Sequence, residues 1–451
     1  MDQQDAKFHK LTEAPVRGLI ISLAVPCIIS MLVTAFYNMA DTYFVGMLKS
    51  NAATGAVGVV FSMMAVIQAV GFFFGQGGGV YISQMMGRQD YREASHMAAT
   101  SFVYALGAGG VICILGQIFL EPLAYLLGST ETILPYTEDY LRVILLGAPW
   151  MAASLVLNNQ LRFQGSASYA MVGIVAGAVL NIALDPLLIF TFDMGIAGAG
   201  WATIISQFVS FCLLLAGCAR GENIHIRLRN VKFRWFYFDQ IIRGGLPSLS
   251  RQILASLATI CLNNAARPYG DAAIAAMGVV QRIMMFGASA MLGFGQGFQP
   301  VCGVNFGAQR LDRVKEGFWF CVKFSTIFLA VAGAAGAVFA PGLIAVFRDD
   351  PAVIEFGSAA LRFQCATFWM HGWIVMSNMM QQSTGQTLPA TFNSVARQGL
   401  FFIPSVLILP FFLDAVGLQM AQSVADAAAF LIGIPIQFVI LRKLERGELT
   451  R

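Results

Sequence analysis

Four acidic side chains sit inside or at the end of long apolar runs: Asp41, Asp139, Asp185 and Asp426. A charged side chain at the centre of a bilayer costs on the order of 2.5–3.5 kcal/mol by insertion scales, so it usually faces a cavity or a partner. Asp41 closes a polar stripe of Thr34, Tyr37, Asn38 and Asp41, whose spacings of three, four and seven put them on one helical face. Asn181 and Asp185 stack one turn apart, and Thr203 and Gln207 form a third such pair. Lipid supplies no hydrogen-bond partners, so these three polar faces satisfy one another only by pointing inward. A carboxylate in such a weakly hydrated pocket can take up and release a proton near neutral pH. With Asn and Thr oxygens beside it, the same group can instead hold Na⁺. The plain alternative is that Asp41 and Asp185, each toward the outer end of its run, simply meet water.

The elements that must position these groups are membrane helices. The 451 residues are 57% hydrophobic and 12% charged, whereas a soluble domain carries about 25% charged residues. That balance excludes cytosolic enzymes, disordered scaffolds and secreted disulfide modules. A spanning helix needs about 20 mostly apolar residues, and twelve such segments are predicted, at about 18–46, 56–80, 95–118, 136–156, 168–190 and 195–217, then 245–267, 275–300, 317–340, 356–380, 388–410 and 419–441. Basic residues stay on the cytoplasmic side and test that count. With both termini inside, nineteen of the 28 Lys and Arg residues fall in cytoplasmic segments, Arg451 among them, and three (Lys49, Arg267 and Arg348) fall in outer loops. The expected location is the inner (plasma) membrane, crossed many times, with both termini cytoplasmic.

The chain also divides in two. A first lobe is expected over 1–217, a basic and aromatic cytoplasmic linker over 218–243, and a second lobe over 244–451. Ala56-Val57-Gly58-Val59-Val60 returns as Ala276-Met277-Gly278-Val279-Val280, and Gly75-Gln76-Gly77 as Gly295-Gln296-Gly297. Gly87 and Gln89 return as Gly307 and Gln309, all shifted by 220, while Pro26 returns as Pro247, one residue off that shift. Six spans per half, an even number, give the two copies the same orientation, a parallel pseudo-two-fold repeat of the kind secondary transporters use. The expected fold is therefore an all-α polytopic membrane protein with twelve transmembrane helices in two six-helix lobes. The same shift takes Asp41 to Cys261 and Asp185 to Ser405, so the acids occur once, and ion coupling is expected in the first lobe alone.

No GxxxxGK[ST] phosphate loop, HExxH or GxSxG motif occurs, so work must come from an ion gradient rather than from ATP hydrolysis by this chain. The adjacent Asp349 and Asp350 read as a solvated turn. Soft, flat side chains such as Met284, Trp373 and Met376 suit promiscuous ligands, although most residues of this kind pack or face lipid. For His371 and Arg397 a structural hydrogen bond is the favoured role.

The stretch QGSASYAMVGIVAGAVLNIALDPLLIF, then MGIAGAGWATIISQ, together with the Pro26–Asp41 segment and the GQG repeats, closely resembles the multidrug and toxic compound extrusion (MATE) transporters over nearly the whole chain. LNIALDP is its most specific element. The resemblance implies a V-shaped central cavity and export of mostly cationic, amphipathic compounds against inward H⁺ or Na⁺ flow. It implies that Asp41, Asn181 and Asp185, with Tyr140 and Thr203 as weaker matches, form the cation or proton site of the DinF-like prokaryotic branch. The NorM-like branch instead uses carboxylates on helices seven and ten, and residues 245–267 and 356–380 contain no acid. Tyr37, Asn38, Gln207, Met284, Trp373 and Met376 are candidates for the substrate cavity. The expected partners are small-molecule drugs or toxins and membrane lipids, with no nucleic acid, no resident cofactor or metal, and a monomeric state. A flippase or exporter of a lipid-linked or metabolic substrate is the alternative, to be separated by asking whether dye efflux or lipid translocation responds to a gradient. An intramembrane enzyme is a third reading, which product formation without any gradient would reveal.

Overall fold

The computed structural model describes residues 3–47 and 50–449. Lys49 and Arg451, both counted in the charge balance, lie outside the described residues. Apolar runs in lipid become helices because every backbone N–H and C=O must find its partner within the chain. A short polar helix α1 (Gln3–Glu13) precedes α2 (Val16–Gly46), α3 (Asn51–Gly87), α4 (Tyr91–Ile118), a short α5 (Leu120–Leu126), α6 (Leu134–Phe163), α7 (Ala167–Pro186) and α8 (Gly195–Cys218). The second half repeats the pattern with α9 (Trp235–Ala266), α10 (Asp271–Gly307), α11 (Leu311–Val338), a short α12 (Ala340–Phe347), α13 (Pro351–Thr367), α14 (Met370–Ser383), α15 (Thr387–Val395) and α16 (Ile403–Glu445).

Nine described segments are long and apolar enough to cross a membrane. Helix α9, whose apolar stretch 245–266 is interrupted by Arg251 and Gln252, supplies a tenth. An eleventh is broken at Phe368–Trp369 into α13 and α14. The last of the nine holds two crossings joined through Asp414, whose φ of 48° marks a turn inside α16. These make the twelve expected. Asp350 caps α13, its carboxylate accepting from the Ala352 and Val353 amides.

The repeat is written into the backbone. Gly165 and Gly385, 220 apart, take φ of 77° and 73° at equivalent turns, a conformation that only glycine adopts freely. Gln89 and Gln309 have φ of 58° and 60°. Asn158 donates to the Ala170 carbonyl and Asn378 to the Ala390 carbonyl, again one shift apart.

The two halves meet where α3 packs on α9 and α10 packs on α2. The GQG repeats form this seam. A Cβ at Gly77 would collide with the Ile241 carbonyl, and one at Gly297 with the Ala24 backbone, so only glycine allows these helices to approach so closely. Between them Gln299 donates to Gln76 across the lobes and to Gln382 within its own lobe, and Gln382 donates in turn to the Gly244 carbonyl and Ser248 Oγ. These contacts lie in the half of the bundle nearer the chain ends. Toward the other face, the described contact between the lobes includes an edge-to-face pair, Phe36–Phe286, with centroids 5.4 Å apart.

Two peripheral segments pack on the helical lobes. Helix α9 begins at Trp235, within the stretch expected as linker, and the segment before it touches the first lobe. The Lys232 amide donates to Thr100 Oγ1 at 3.0 Å, and Tyr237 donates to Glu93 at 2.9 Å. The polar N-terminal segment is a helix that straps the lobes on the face carrying both chain ends. Asn305 Nδ2 donates to the Leu11 carbonyl and Arg313 donates to the Ala14 carbonyl.

Lys7 anchors that strap, 7% exposed, donating to Ser166 Oγ and Asn223 Oδ1 at 2.7 Å each. Burial lowers its amine from 10.5 to about 8, against the opposing charge of Glu222 and with that of Lys10. Between about 8 and 10.5 the unfolded chain therefore binds more protons at this residue than the folded one, and stability contributed by Lys7 grows as pH rises through that window. Thermal melts of Lys7→Met are expected to lack this rise while the parent shows it. Parallel profiles would contradict the account.

Candidate functional site

The first lobe encloses a cavity of about 110 Å³ between α2, α3, α6, α7 and α8. Tyr37 on α2, Asn181 on α7, and Thr203 and Gln207 on α8 all line it. The three polar faces read from helical spacing thus converge, and Asn181 Nδ2 donates to Thr203 Oγ1 at 3.5 Å. Tyr37 is buried beside Gln207. Asn38 is half-buried on the same helix and does not line the cavity.

Asp41, Asp185 and Tyr140 lie just beyond the cavity. Asp41 and Asp185 are each one turn past a lining residue, Tyr37 and Asn181, in the direction away from the chain ends. Asp185 is fully buried and Asp41 partly so. Tyr140 reaches the same place from α6, 1% exposed, beside Thr203 and within electrostatic range of both carboxylates. Pro186 follows Asp185 and the helix widens into a π-helical turn over Leu187–Thr191, a local geometry frequent at functional sites.

The chemistry of the cluster is an excess of acceptors. Among the described residues, both Asp185 oxygens, Asp41 Oδ1, Asn181 Oδ1 and the Tyr140 hydroxyl have no hydrogen-bond partner. Buried acceptors without donors are costly, and a proton or a hard cation relieves that cost by occupying them. The oxygens of these four residues fit such an ion.

Asp426 is the counter-example. His371 Nε2 lies 2.9 Å from Oδ2, Arg397 Nε donates to Oδ1 at 2.7 Å, and Gln422 donates to Oδ1 at 2.9 Å. That carboxylate is saturated, and His371 and Arg397 have the structural bonds expected of them. Asp139 is exposed at its helix end.

Sequence spacing missed Met31, Gln68, Phe72, Asn158, Ser206 and Ser210, which also line it. Ser206 and Ser210 carried a usable signal, since they extend the Thr203–Gln207 face at three and four residues. Met284, Trp373 and Met376, read as substrate-cavity candidates, are elsewhere. Trp373 packs among Phe318, Trp319, Phe430 and Phe438. Met376 is fully buried against Gly295, and Met284 lines a separate apolar cavity in the second half. Large apolar residues fill the core wherever helices cross, so their identity alone does not mark a ligand surface.

A repeat-built helical bundle with a polar chamber buried in one lobe defines a secondary transporter. The chain belongs to the MatE family, whose model matches residues 26–187 and 247–408, one stretch in each half. It is similar to the multidrug export protein MepA of Staphylococcus saprophyticus, 28% identical with 99% of each chain covered. It is also similar to MepA of Staphylococcus aureus (strain NCTC 8325 / PS 47), 26% identical with 95% of this chain and 96% of the relative covered. A solved structure described as the outward-facing conformation of a multidrug resistance MATE family transporter of the MOP superfamily superposes with a TM-score of 0.91, at 25% identity, covering 97% of this chain and 98% of that one.

Proposed function

We propose that this protein is a multidrug efflux antiporter of the plasma membrane, with both termini cytoplasmic, that exports amphipathic, mostly cationic compounds in exchange for H⁺. The observation that carries the reading is the cluster of unpartnered carboxylate and amide oxygens of Asp41, Asn181 and Asp185, with the Tyr140 hydroxyl beside them. Thr203 positions Asn181, and Tyr37 and Gln207 belong to the cavity that receives substrate. The close interlobe seam on the side of the chain ends favours a state closed to the cytoplasm. The relatives' description as multidrug export proteins supports the direction of transport.

In this reading an inward-moving proton occupies the acceptor cluster, neutralises it and alters α2, the helix that carries Asp41. Substrate then leaves to the outside. A gradient is adequate for this work, at about 2.3 kcal/mol per charge per 100 mV. The test is ethidium efflux from proteoliposomes under separately imposed pH and Na⁺ gradients. Inward proton flow is expected to accelerate efflux several-fold and Na⁺ to have no effect. The reverse result assigns the ion as Na⁺, and indifference to both gradients defeats the antiport reading.

A further inference from the structure

The second lobe holds a cavity that corresponds to the first, also of about 110 Å³. Met151, Asn158 and Gly177 line the N-lobe cavity, and adding 220 to each gives His371, Asn378 and Arg397, which line this one. The first is lined by no charged side chain, whereas the second is lined by two arginines. A methionine and a glycine of the first lobe are replaced by a histidine and an arginine, and α9 adds Arg251.

The charges do not balance within the protein. Arg397 is matched by Asp426 and opens a π-helical turn, Ala396–Phe402. Arg251 makes no hydrogen bond or ion pair among the described residues, and no carboxylate is among the residues lining the cavity. The remaining positive charge lies within a helix that crosses the membrane, where an uncompensated guanidinium is costly. A guanidinium presents five N–H donors in a planar fork that matches a carboxylate. Met291, Leu292, Val375 and Met379 supply an apolar wall beside it.

We propose that this C-lobe cavity binds the carboxylate of an organic amphiphile, with the acid group at Arg251 and Arg397 and the apolar body on that wall. The transporter then takes acids and zwitterions as well as cations, each lobe selecting the opposite charge. This rests on the proposed efflux activity only for what is carried. Binding is read without any gradient, so its failure does not bear on ion coupling.

The test is fluorescence titration of the purified protein, in phosphatidylcholine nanodiscs, with dansylglycine and with its methyl ester. The acid is expected to bind at least tenfold more tightly than the ester. Arg251→Gln is expected to erase that difference, and Arg251→Lys to keep part of it, with melting temperatures close to the parent's. Equal affinity for acid and ester in the parent protein overturns the proposal without recourse to any variant. So does a preference that survives Arg251→Gln. A third arm adds phosphatidylglycerol to the nanodiscs: loss of dansylglycine binding there assigns the site to a lipid headgroup and overturns the soluble-acid reading, while unchanged binding supports it.

Discussion

Asp185→Asn is expected to reduce gradient-driven ethidium efflux to the leak of protein-free liposomes while leaving the protein folded, and Asp41→Asn to do the same. Asparagine keeps the shape and much of the polarity of aspartate but cannot exchange a proton at the pocket's working pH. The fold should tolerate the change because neither Asp185 oxygen has a partner to lose. Removing a buried, unpaired carboxylate relieves a cost rather than creating one, so the melting temperature of Asp185→Asn is expected to equal or exceed that of the parent. The two readouts therefore move apart: transport falls and stability does not. Parent-like efflux in both variants would sink the coupling role, and a collapse in stability would mean that the carboxylates hold the lobe together instead.

Asp426→Ala should behave in the opposite way. This carboxylate satisfies Arg397, His371 and Gln422 at once. Removing it leaves the Arg397 guanidinium at the edge of a lipid-embedded core without its partner. Breaking a buried pair in this manner costs about 3–5 kcal/mol. Reversible unfolding in mixed micelles is expected to show a loss of that size, with reduced transport following from the smaller folded fraction. A stable Asp426→Ala protein with abolished coupling would instead place the working acid in the second lobe, against the assignment to Asp41 and Asp185. The pair of variants thus separates an acid kept for its pairing from acids kept for their vacancy.

The architecture was legible in one dimension. Hydropathy and basic-residue alternation depend only on what a segment must pass through, and they gave twelve crossings with the chain ends on one face. The 220-residue shift survives because equivalent turns need the same backbone, as Gly165 and Gly385 show. The start of α9 is charged enough to look like linker, and the interruption at Phe368–Trp369 leaves no apolar gap. Both spans were expected, and the structure differs from the sequence reading there only in element ends and an internal break.

For the site, helical spacing was sufficient to gather Tyr37, Asn181, Thr203 and Gln207, because residues three and four apart share a face and lipid forces polar faces inward. It could not say which acids are free. Asp426 is 29 residues from Arg397 and 55 from His371, and a pairing of that kind is a distance between helices, fixed by how they cross. What the amino-acid order determined by itself was the number of crossings, their duplication and the polar stripes they carry. Only the tertiary structure decided that one carboxylate in the membrane is saturated while two stand with open acceptors. The physical reason is that burial and partnership depend on neighbours the chain brings from far away.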